Sequence, residues 1–90
     1  MTLFDFITVF GGDKLSVINH YGDMFHLYNL HGVWQYSGHD LPLHLLATKI
    51  MIISHTKTDV VIGLSKYICE KTMSILIERA ATKHLDVFRM

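Results

Sequence analysis

The longest unbroken apolar run in this chain is four residues, Ile50 to Ile53, although half of its 90 residues are apolar. A membrane-spanning helix needs roughly 18 or more consecutive apolar residues, so none is expected. Apolar residues scattered in pairs and triplets have to be gathered on one side of short amphipathic elements. A chain of this length is expected to form a single α+β domain over 1–90. Such a small domain buries only a modest fraction of its surface. That much apolar content therefore predicts surface left uncovered until a partner meets it.

The spacing of those residues predicts the elements. Thr2 with Asp5 three positions on has the form of a capping box, and Leu3, Phe6, Ile7 and Phe10 recur at helical spacing. Gly11-Gly12-Asp13 stops this helix. Lys14 to Asn19 and Met24 to Asn29 alternate as strands around the turn His20-Tyr21-Gly22-Asp23 and predict an antiparallel hairpin. Val33 to Tyr36 is expected to extend the second strand past a bulge at Gly32. Asp40 is expected to cap a short middle helix with Pro42 in its first turn. Lys49 to Ser54, apolar on both faces, predicts a central strand covered on both sides. Asp59 to Leu64 supplies the fourth strand, and Ser65 is expected to cap a last helix from Lys66 to about His84. The expected fold is thus a small antiparallel sheet of about four strands in two hairpins. It packs with an N-terminal helix, a short middle helix and a longer amphipathic C-terminal helix.

On a helical wheel at about 100° per residue, Ile68, Thr72, Ile75 and Leu76 fall beside Cys69, Met73, Ile77 and Ala80. That arc is wider than a surface helix needs. It makes Ile77 a candidate contact in a homodimer or partner interface through the last helix. The alternative is that the tail residues Val87 and Phe88 fold back over Ile77.

Catalytic chemistry finds little support. The seven histidines include His39 and His44 around Asp40, a group that could hold zinc with His26 or His31. The spacing fits no zinc motif, and a capping Asp40 would have its carboxylate occupied. Cys69 is the one cysteine, which rules out an internal disulfide and suits a reducing, cytoplasmic setting. On the apolar flank of a helix its thiol is expected to be inert. Gly11-Gly12-Asp13-Lys14 lacks the spacing of a phosphate-binding loop. The N-terminus has no basic region before an apolar run and does not read as a signal peptide. No enzyme, metal or cofactor is expected.

Eight basic residues balance eight acidic ones. Neither a basic surface for phosphates nor an acidic mimic of nucleic acid is available in that balance, so direct nucleic-acid binding is disfavoured. Tyr28, Trp34, Tyr36 and His39 cluster around a glycine-rich stretch and are candidates for a partner-binding surface. A core role stays open beside the recognition role for Trp34 and Tyr36.

The pieces Thr2-Leu3-Phe4-Asp5-Phe6-Ile7, the strand from Lys14 to Asn19, Asp40-Leu41-Pro42 with Leu45-Leu46, and the final hairpin from Lys49 to Leu64 together resemble small accessory proteins of phages and plasmids of Gram-positive bacteria. The likeness spans 2–64 and stops at the last helix. It implies a non-catalytic inhibitor or adaptor, anti-CRISPR-like, that occupies a host defence effector and blocks its nucleic-acid binding or assembly. It carries over no site residues. Two further expectations stand beside it: a binding or sponge protein for a nucleotide signal, with its site at a homodimer interface, and, more weakly, a metal-dependent hydrolase.

Overall fold

The computed structural model describes residues 1–36 and 39–89, of which 39–40 and 82–89 are described by their backbone alone. Helix α1 (Leu3–Val9) opens with the capping box that the sequence predicts. The Thr2 amide donates to Asp5 Oδ2 at 3.0 Å, and the Asp5 amide donates to Thr2 Oγ1 at 3.2 Å. The ring of Phe10 then folds back over Gly12, where a Cβ atom would stand 2.5 Å from it.

Strands β1 (Lys14–Ile18), β2 (Met24–Leu30), β3 (Val33–Tyr36) and the two-residue β4 (His39–Asp40) form an antiparallel meander. The one-turn helix α2 (Leu43–Leu46) leads to the hairpin of β5 (Thr48–His55) and β6 (Val60–Ile68), and α3 (Glu70–Arg89) follows. The strands make one sheet in the order β4-β3-β2-β1-β6-β5. The α+β class and the two hairpins agree with the sequence reading.

Several expectations need correction. The hairpins are joined by β1 and β6 running parallel, so the sheet is mixed rather than wholly antiparallel. Residues 33–36 form a separate strand and not a bulged extension. The reason is that His31 (φ 56°) and Gly32 (φ 86°) are both left-handed, which folds the chain back in a two-residue turn. Asp40 does not cap α2, because it lies in β4 opposite Gln35 while Pro42 takes the N-cap position. β5 is an edge strand and not a central one, and Met51 and Ile52 are exposed by 72% and 57%. Thr2 bridges it at Lys49, and the Ile50 amide donates to the Met1 carbonyl, so only its later half is unpaired along the edge. Finally, β6 takes up Lys66, Tyr67 and Ile68, whose spacing predicts the start of the last helix. Ser65 therefore caps nothing. Its hydroxyl donates to the Lys49 carbonyl and accepts from the Tyr67 amide within the hairpin.

The core lies on one face of the sheet. Leu15, Val17, Leu27, Ile62 and Leu64 bury there with Leu3 of α1 and Leu41. Phe6, Ile7 and Phe10 from α1 and Leu45 and Leu46 from α2 close over them. Helix α3 joins this side: Leu76 is buried, and the Arg79 guanidinium sits 5.6 Å from the Phe4 ring centroid.

Candidate functional site

The pairing registers separate the two sheet faces. Residues directly opposite each other share a face, and neighbours along a strand alternate. Lys14, Ser16, Ile18, Met24, His26, Tyr28, Leu30, Val33, Gln35, Ile52, Val61 and Gly63 all fall on the face away from the helices. Among the described residues, no helix packs there. About half of each of the Met24, Tyr28, Leu30, Val33 and Ile52 side chains is open to solvent. Two polar pairs lie on it: Ser16 Oγ and His26 Nδ1 are 3.1 Å apart, and Lys14 Nζ lies 3.9 Å from Asp59 Oδ1 at the rim. The outward face thus carries an exposed apolar band, with few charges beside it, and no described helix covers it.

The helix-bearing face has a second feature. α1 covers one end of the core, where Phe10 meets Trp34 with ring centroids 6.0 Å apart. α2 is a single turn and covers the middle. Beyond it a cleft of about 280 Å³ remains, with Phe25, Tyr36 and Leu64 as its apolar floor. Its walls come from the β1–β2 turn (His20, Tyr21), from α2 (His44, Leu45) and from the end of β6 (Lys66, Ile68). The turn is fixed by Asn19, whose side-chain oxygen accepts from the Tyr21 and Asp23 amides, each at 2.9 Å. Gly22 supplies the left-handed residue this turn requires, at φ 89°.

The candidate residues distribute across both faces. Tyr36 stands in the cleft, and Trp34, half-buried, packs against the core under α1. Tyr28 lies on the outward face, so the sheet separates it from the other two rings. The backbone of His39 pairs with Tyr36, while its side chain lies outside the described residues, as does that of Asp40. Ile77 is 51% exposed on α3, and the proposed cover by Val87 and Phe88 also lies outside the described side chains. His26 and His44 are on opposite faces and cannot share one ion. Among the described residues, no three histidine, cysteine or acidic side chains come together as metal ligands.

Cys69 lies at the start of α3 rather than on its flank. Its amide donates to the Ala47 carbonyl and its carbonyl accepts from Met73. Hydrogen bonding to the Thr72 side chain draws the thiol below its ordinary pKa, as a thiol at a helix N-terminus is drawn.

No single segment of the sequence encodes the cleft. Its residues come from a turn, a helix and a strand end far apart in sequence, and Lys66 stands on β6 rather than on the last helix that its spacing predicts. The one local signal was the Asn19-His20-Tyr21-Gly22-Asp23 turn, which sets two rings next to a positive-φ glycine. No described helix is long and apolar enough to cross a membrane. No protein-family model, curated protein or solved structure matches the chain.

Proposed function

We propose that this protein is a non-catalytic interaction module that docks a partner protein on its outward sheet face. The observation that carries the reading is the uncovered band of Met24, Tyr28, Leu30, Val33 and Ile52. A sheet face left this apolar is characteristic of an interaction site. Burying each such side chain would contribute roughly 1 kcal/mol or more to association at about 25 cal/mol per Å². The near-neutral face fits an apolar protein surface better than a phosphate backbone, which would call for several Lys or Arg side chains. The open half of edge strand β5 beside it can add main-chain pairing to the same contact.

The reading includes the inhibitor or adaptor role expected from the sequence, in which a host defence effector is occupied and its nucleic-acid binding or assembly blocked. That role needs a docking face and no reacting group, and the outward face meets the requirement.

The test is size-exclusion chromatography with light scattering, for the protein alone and mixed with purified nucleic-acid-guided effector complexes. A monomer that co-elutes with an effector, and loses it on Tyr28→Ser with Val33→Ser in a folded protein, is the expected result. A dimer abolished by the same substitutions would instead make the face a self-association surface. Undiminished effector binding by the double variant would remove the face from the interaction.

A further inference from the structure

The cleft on the opposite side of the sheet has a chemistry of its own. Its floor is aromatic and aliphatic, from Phe25, Tyr36 and Leu64. Its rim carries the His20 and His44 imidazoles, the Tyr21 and Tyr36 hydroxyls and the Lys66 ammonium, each able to donate a hydrogen bond. Among the described residues that line it, no carboxylate appears. The other polar side chains of the rim are already engaged. The Thr48 hydroxyl donates to the His44 carbonyl, the Ser65 hydroxyl to the Lys49 carbonyl, and Asn19 holds its own turn.

The Tyr36 hydroxyl, the His44 ring and the Lys66 ammonium make no hydrogen bond or ion pair among the described residues, and Lys66 has only the Tyr67 ring within reach of its charge at 5.5 Å. A concave apolar site with a few convergent, unsatisfied polar groups is the usual form of a small-molecule site. The cavity, at about 280 Å³, lies just below the ~300–1,000 Å³ typical of such sites. That leaves room for one ring system and one charged group.

We propose that this cleft binds a small anion bearing one planar aromatic ring system, its ring against Phe25 and Tyr36 and its negative group held by Lys66 and His44. A mononucleotide and an aromatic carboxylate share this chemistry. The site lies within one chain, on the far side of the sheet from the docking face, so it does not depend on the partner reading and is not the dimer-interface pocket expected from the sequence. Aromatic stacking accounts for the ring and charge-assisted hydrogen bonds for the anion.

Calorimetry and amide chemical-shift titration on the full chain test it, with adenosine 5′-monophosphate, indole-3-carboxylate, adenosine and inorganic phosphate as separate probes. Saturable binding of either aromatic anion is expected, with shifts centred on Tyr21, Tyr36, His44 and Lys66. Adenosine and phosphate should bind at least about tenfold more weakly than the nucleotide if that is the anion bound. Nucleotide binding alone identifies phosphate as the anion, and carboxylate binding alone identifies the other source. Lys66→Ala and His44→Ala, both at exposed positions, should each weaken binding by about tenfold while the far-ultraviolet spectrum is unchanged. The proposal is overturned if neither aromatic anion binds, if adenosine matches the nucleotide, or if both variants bind as the wild type does. Tyr28→Ser on the outward face should leave this titration unchanged, which separates failure here from failure of the docking reading.

Discussion

The ring of Tyr36 stands edge-on to that of Phe25, centroids 5.2 Å apart and planes at 89°. The contact joins β2 to β3 and forms the floor of the cleft. Edge-to-face pairs of this kind contribute about 0.5–1.5 kcal/mol beyond the area they bury. Tyr36→Phe keeps the ring and should leave the melting temperature near that of the wild type. Tyr36→Ala should lower stability by about 1–2 kcal/mol, read from denaturant midpoints at unchanged slope. Equal stability of the two variants would show that the ring pair contributes nothing.

The first helix depends on one reciprocal pair of bonds. Thr2→Ala removes the hydroxyl that accepts from Asp5 and should cost about 1 kcal/mol. The bond from the Thr2 amide holds the Asp5 carboxyl below its ordinary value of 3.8. A carboxylate with a depressed pKa stabilises the fold fully above its unfolded value, and loses that contribution as pH falls through the folded one. Asp5→Asn should therefore be less stable than the wild type at neutral pH, and the gap should close below about pH 4. Paired urea titrations across pH 2.5–7 would measure it, and a gap independent of pH would contradict the assignment.

The β1–β2 turn sets one wall of the cleft. Gly22 is left-handed at φ 89°, a conformation that costs an L-residue about 1–2 kcal/mol. Gly22→Ala should destabilise by that amount. Asn19→Ala removes the acceptor of two backbone amides and should loosen the same turn. Faster amide exchange at Tyr21 and Asp23 in Asn19→Ala, with the core amides still protected, is the expected pattern. Unchanged exchange would mean that the backbone alone holds the turn.

On the outward face, Ile52 lies directly across Gly63, its Cγ2 atom 2.6 Å from where a Cβ atom at Gly63 would stand. Gly63→Val should displace Ile52 and lower stability by about 1–3 kcal/mol, as overpacking does. Pairing it with Ile52→Ala should restore part of that loss. Additive losses in the double variant would show that the two positions are independent.

The central residues of the core are the most sensitive. Leu27 and Ile62 are fully buried between the sheet and the helices. Leu27→Ala should cost about 2–5 kcal/mol, whereas Val9→Ala, 76% exposed on α1, should change stability by less than about 0.5 kcal/mol. Thermal unfolding of the two variants checks the contrast.

Local chemistry made much of the fold readable in the chain. The capping box of Thr2 and Asp5, the alternation through Lys14–Ile18 and Met24–Leu30, and the turn at Asn19–Asp23 are decided by residues within a few positions of each other. Propensity and short-range hydrogen bonding act at that range, so the sequence by itself determined the first helix, both hairpins and the α+β class. It could not determine which strands became neighbours. Ile50 to Ile53 looked like a central strand because their apolar character is visible, whereas the parallel pairing of β1 with β6 that leaves β5 at the edge is a contact between distant segments.

The same limit applied to Lys66–Ile68. They satisfy a helical wheel, yet pairing with β5 draws them into β6, as Ile68 opposite Thr48 shows. Only the tertiary structure placed Tyr28 and Tyr36 on opposite faces, left Met24 and Val33 uncovered, and brought His20, His44 and Lys66 around one cleft. Those outcomes follow from strand order and from how far a one-turn helix can reach across a sheet, neither of which any single segment encodes.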